Sequence, residues 1–131
     1  MAKAPKNSKG KPKRDEAREE RISMEIVVDA YDESERAMGW CYYLEDKLHT
    51  PFTGRCIRER AISPLCVGHE VEVVGMAPED ECGREMFVTT PWEHKRTLAV
   101  PLSQLEVAHA DEETRQAVED WHYWVEMGYG F

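Results

Sequence analysis

The spacing of apolar residues changes at Pro51, and that change limits the folds open to this chain. Before it, Ala37, Cys41, Leu44 and Leu48 recur at i, i+4, i+7 and i+11, the stripe that one face of an α-helix turns toward a core. Met38, Trp40 and Tyr42 are expected to broaden that face. Asp32 followed by Glu35 is a helix start signal, so the spacing predicts a helix over 32–47, stopped before Pro51. Beyond Pro51 the helical spacing gives way to short β-rich runs, FTGRCIRER, HEVEVVGM, REMFVTT and RTLAVPL, divided by turn signals at SPLCVG, APEDECG and PWEHK. In the second run Val71, Val73 and Gly75 alternate with Glu72 and Val74, as in a half-buried antiparallel strand.

The flanking segments complete an α+β expectation. Residues 15–31, DEAREERISMEIVVDAY, open with opposite charges three and four apart, as on an exposed helix. From Ile22 onward either a strand alternation or a helical face fits, and we read a helix. After PLSQLEV, Asp111 is placed to cap a last helix running to about residue 127, with Gly128 ending it. Ala117, Trp121, Trp124 and Val125 line its apolar stripe, and two tryptophans on one stripe read as core rather than as a ligand box. The expected architecture is a small bent antiparallel sheet or SH3-like barrel, with N-terminal helices and one C-terminal helix packed on it.

Charge divides the chain in two. Residues 1–14, MAKAPKNSKGKPKR, carry six basic residues and no acid, and are expected to be a disordered basic tail. That leaves 11 basic against 26 acidic residues for 15–131, a single domain with a charge of about −15. A field of that sign repels nucleic acid and anionic membranes and attracts cations and basic proteins; any nucleic-acid contact would be weak and through the tail. No stretch of 18 apolar residues and no apolar signal segment occurs, so a cytoplasmic location is expected.

Catalysis finds little support, because there is no G-x-S-x-G and no Gly-rich phosphate loop. The four cysteines contain no CxxC pair, and a zinc site from Cys66, His69, Cys82 and His94 is a minor alternative to buried free thiols. The five histidines lack the H-x-x-x-H spacing of a helical zinc site. Carboxylates, in contrast, come in tight groups, among them DAYDESE at 29–35, Glu45 with Asp46, and Glu79, Asp80 and Glu81 in APEDECG. Exposed like charges repel by a few tenths of a kcal/mol per pair, roughly, which water or a cation must offset. Calcium takes six to eight hard oxygens, roughly, in tolerant geometry. No EF-hand fits: counted from Asp32, the fifth position is Arg36, a cation where an oxygen ligand belongs. Composition alone leaves open whether each group is a solvated surface or part of a calcium site.

Particular stretches narrow the choice. MEIVVDAYDESERAMGWCYYLEDKLHTPFTGRCI at 24–57, SPLCVGHEVEVVGMAPEDEC at 63–82, TLAVPLSQLE at 97–106 and EDWHYWVEMGY at 119–129 resemble the small bacterial calcium-binding proteins of the CcbP type. The likeness spans about residues 22–129 and leaves out the basic tail. It implies an acidic protein that binds Ca2+ without an EF-hand, as a buffer, sequestering agent or sensor, and without catalysis. Carried over by position, it implies metal ligands among Asp29 and Asp32 in VVDAYD, Glu45 and Asp46 in YLED, and Glu79 and Asp80 in the turn. Asp46 and Asp80 lead that set, since a helix end and a hairpin turn also offer free carbonyls; Asp120 stands in reserve. The alternative from another class is an SH3-like interaction module for a basic protein partner, with Trp92 and exposed tyrosines as contacts.

Overall fold

The structure, a computed structural model, describes residues 13–130, so all but the last two residues of the expected tail lie outside it. Helix α1 spans Glu16–Arg21, capped by the Asp15 carboxylate accepting from the Arg18 N–H, and runs on through a π-helical turn, Ile22–Ile26. The helical reading of this segment holds: Ile22 and Ile26 are buried whereas Met24 is 64% exposed. It stops short of Tyr31, however, because Asp29 takes a left-handed conformation at φ 64° and turns the chain into α2.

Helix α2, Glu33–Lys47, starts as its sequence requires. The Asp32 carboxylate accepts from the Glu35 N–H at 2.8 Å, and the Glu35 carboxylate accepts from the Tyr31 N–H at 2.7 Å. Ala37, Trp40, Cys41, Tyr43 and Leu44 are buried. Tyr42 is not: its ring is 53% exposed, a correction to the expected width of the core face. Tyr43, one step (about 100°) around the helix, takes the inward place instead. Gly39 lets α1 dock here, since a Cβ on it would lie 2.3 Å from the Ile26 carbonyl oxygen.

The β runs form two three-stranded antiparallel sheets. β1 (Phe52–Cys56) pairs with β2 (Glu70–Val73) and with β6 (Leu105–His109), while β4 (Phe87–Trp92) pairs with β3 (Gly75–Met76) and with β5 (Arg96–Pro101). The Val74 N–H donates to the Thr89 carbonyl at 2.9 Å, so residues 70–76 pass from one sheet into the other. The expected bent antiparallel arrangement is therefore present, but among the described residues it does not close into a barrel. β5 leaves its ladder at Pro101, which has no N–H to donate, and a tight 3-10 turn, Leu102–Gln104, redirects the chain into β6.

Helix α3, Glu112–Glu126, is capped by Asp111, which accepts from the Thr114 N–H at 2.8 Å, and ends before Gly128 at φ 77°. Its tryptophans are core, as expected, although Val125 is 37% exposed. Trp40 of α2 lies 5.0 Å from the Trp121 ring and 5.5 Å from Trp124, tilted contacts worth about 0.5–1.5 kcal/mol each beyond burial. One continuous core joins both sheets to all three helices.

Candidate functional site

Along α2, Glu33, Ala37, Cys41 and Glu45 recur every four residues and so form one ridge with a carboxylate at each end. The loop between β3 and β4 lies over it. That loop carries the 3-10 turn Glu79–Glu81 and is pinned at its base by the Ala77 N–H donating to the Phe87 carbonyl at 3.0 Å. Between ridge and loop is a cavity of about 260 Å³, lined by Glu33, Ser34 and Cys41 from the helix and by Glu79 and Cys82 from the loop.

Electrostatics place the carboxylates more closely. The Tyr42 hydroxyl has its pKa raised, first by Glu79 and then by its burial, with Cys41 and Glu45 adding to the effect. Burial, with Cys82, Glu45 and Glu79 adding to it, pushes the Cys41 thiol up to about 11. Glu45 and Glu79 thus act on the same two side chains, and among the described residues none of Glu45, Glu79, Asp80 and Glu81 is in an ion pair. All four are exposed.

The remaining expected ligands are spread out. Asp46 lines a different groove, with Glu25, Gly39, Tyr42 and Lys47, and its carboxylate is 3.8 Å from the Lys47 ammonium. Asp80 sits on the turn's exposed side, and it and Glu81 help burial raise the Cys82 pKa. Asp32 is committed to capping α2, 14 residues or about 21 Å along the axis from Asp46, and Asp29 precedes it. One ion with ligands at roughly 2.3–2.6 Å cannot join both helix ends. Among the described residues, no three of the His, Cys, Asp and Glu side chains converge as preformed ligands. The zinc alternative fails on the same ground: Cys66 is exposed, Cys82 buried, and the His69 ring lies 6.1 Å from Trp92.

Two features lay outside the expected ligand set. Glu33 joins Glu79 at the cavity, and its signal was the four-residue spacing to Ala37 and Cys41. Asp120, held in reserve as a ligand, is fully buried and already satisfied. It accepts from Arg18 Nη1 at 2.9 Å, Arg21 Nε at 3.0 Å, Arg21 Nη2 at 2.7 Å and the Tyr43 hydroxyl at 3.0 Å. Beside it, Glu19 accepts from the Tyr123 and Tyr129 hydroxyls at 2.6 and 2.5 Å. These bonds tie α1 to α2 and α3.

Comparison with known proteins agrees with this architecture. The crystal structure of Anabaena CcbP superposes with a TM-score of 0.82 at 43% identity, over 93% of this chain and 99% of that one. A calcium binding protein in the calcium-binding form superposes with a TM-score of 0.78, also at 43% identity, over 90% of this chain and 96% of the other. No curated protein matches the sequence. No described helix is long and apolar enough to cross a membrane. A model of the CcbP family, described as calcium binding, matches residues 20–125, and the chain belongs to that family.

Proposed function

We propose that this protein acts as a cytoplasmic Ca2+ buffer, and that Glu79 with Glu45 forms the centre of a calcium site between α2 and the acidic turn. The observation that carries this reading is the pair of carboxylates acting on Cys41 and Tyr42 with no cation paired to either among the described residues. Carboxylate oxygens are the hard donors calcium prefers, and the turn's carbonyls, its neighbour Asp80 and water complete a coordination shell in this reading. Asp46, one step round the helix from Glu45, lines another groove with Glu25, and Asp29 with Asp32 lie at the far end of α2, so these serve as separate, weaker acidic sites. Ligands that must be gathered by the ion suit a buffer. So does the anchoring of helix and turn in a single core, because a sensor needs an element with two arrangements. Residues 15–131 form the binding domain in this reading, and binding rather than bond-making is its role. The alternative interaction-module reading is not favoured by the family.

Calorimetric titration with CaCl2 tests the assignment. Glu79→Gln should weaken the tightest site about tenfold, equivalent to about 1.4 kcal/mol, and leave the fold intact; an unchanged affinity would remove the turn from the site. Wild-type protein should melt at a higher temperature with Ca2+ than with Mg2+ or chelator, as mass action requires of a ligand bound to the native state.

A further inference from the structure

The floor of the acidic cavity is made of sulfur. Cys41, from the middle of α2, and Cys82, from the end of the acidic turn, both line it, although each thiol is at most 3% exposed. Each thiol acts on the other, so the two are neighbours at this cavity. Cys56 is the useful contrast: it is equally buried, but it donates to the Arg58 carbonyl at 3.0 Å and does not line this cavity. A buried cysteine is ordinarily a small apolar filler. Two of them meeting from separate elements, on the floor of a cavity that opens between carboxylates, can do more.

We propose that Cys41 and Cys82 are a redox-active dithiol that closes to an intramolecular disulfide under peroxide, stapling the Glu79–Glu81 turn to α2 and tightening the calcium site. The tightening rests on the calcium reading above; the disulfide does not.

The Cys82 sulfur is the better placed to start, because it accepts from the Phe87 N–H at 3.5 Å, a contact that strengthens as negative charge develops on the sulfur. The Cys82 thiolate attacks one oxygen of hydrogen peroxide, the O–O bond breaks, and hydroxide leaves a sulfenic acid on Cys82. The Cys41 thiolate then attacks the Cys82 sulfur; the S–S bond forms, the S–O bond breaks, and a second hydroxide leaves. The two hydroxides take up the two thiol protons as water. One peroxide is reduced by two electrons, one from each sulfur.

The bridge is coupled to the ion through the turn: a turn fixed against the helix loses less freedom when it binds the ion, and affinity rises.

The test uses the full chain carrying Cys66→Ser, which removes the exposed thiol without touching the cavity. Stoichiometric hydrogen peroxide should remove two hydrogen atoms from the intact mass, and peptide mapping should place the bridge between Cys41 and Cys82. Calorimetry should then show calcium bound about tenfold more tightly than in the reduced protein, a gain reversed by dithiothreitol. Adding Cys41→Ser should abolish both effects. A bridge involving Cys56, no bridge with calcium binding intact, or a bridge that leaves affinity unchanged would each overturn the proposal alone. A correct bridge with no calcium heat in either state would overturn the calcium site itself, and the coupling with it.

Discussion

Asp120 and Glu79 are both carboxylates beside helix α2, and the molecule treats them in opposite ways. Asp120 is fully buried and brings its own cations, two arginines from α1, along with the Tyr43 hydroxyl. Glu79 is exposed, acts with Glu45 on the Tyr42 hydroxyl, and has no paired cation among the described residues. Burying an ion is tolerated only when paired and hydrogen-bonded, which fixes Asp120 as a structural anchor. Repulsion between exposed carboxylates costs so little that it can stay uncompensated until an outside cation arrives. Position alone thus separates acidity that holds the fold from acidity available to a ligand.

Removing the anchor should have the largest effect. Asp120→Ala strands two arginine side chains that are about one-fifth exposed, and should destabilise the domain by about 3 kcal/mol in denaturant unfolding, while the folded fraction keeps its calcium heat. Loss of calcium binding with stability intact would reverse the two roles. Next is Gly39→Ala, whose added carbon would meet the Ile26 carbonyl oxygen at 2.3 Å. It should cost about 1–3 kcal/mol by forcing α1, and with it the arginines of the anchor, off α2; a neutral result in thermal melting would show that α1 can shift freely. Smaller still, and opposite in sign, Glu79→Gln without calcium should leave stability unchanged or raise it by a few tenths of a kcal/mol, roughly. A large loss would make Glu79 a structural residue like Asp120.

The smallest effect concerns an exposed cluster between those extremes. His49 contacts Asp111 at 2.5 Å through Nδ1 and Glu113 at 2.9 Å through Nε2, and the Asp111 hydrogen bond, with both acids' charges, raises its pKa above the 6.5 of a free histidine. The stabilisation is therefore complete below pH 6.5 and is lost as pH rises through the elevated value. Asp111, held down at about 2 chiefly by His49, contributes above pH 3.8 and loses its contribution as pH falls toward 2. His49→Gln should flatten the alkaline side of a melting-temperature profile; an unaltered profile would show the cluster to be mere surface.

Local chemistry was legible in the sequence and distant pairing was not. The D-x-x-E start of α2, the Asp111 cap, the Gly128 stop and the Val71/Val73 alternation all depend on neighbours within a few residues, and each is found. Tyr42 was misplaced because a helical stripe gives no edge: Trp40 and Tyr43 filled the inward space and left none for it. Asp120 meets Arg18 and Arg21 across 102 and 99 residues, a separation no spacing rule reaches. A hint was available in its place three residues after Ala117 and four before Trp124, on the apolar stripe itself. In the same way, the family resemblance supplied acidic positions without saying which of them act together; only the folded chain brings Glu45 and Glu79 to bear on the same Tyr42 hydroxyl and sends Asp46 to another groove.

The pinned base of the acidic loop also bears on how this protein can diverge. Ala77 and Phe87 close the loop, and Cys82 and Met86 plug it into the interior, whereas the tip residues Glu79, Asp80 and Glu81 are exposed and contribute little to folding. Such a loop can gain, lose or exchange carboxylates by single substitutions while the scaffold beneath goes unaltered, and ionic preference can drift in a lineage faster than architecture.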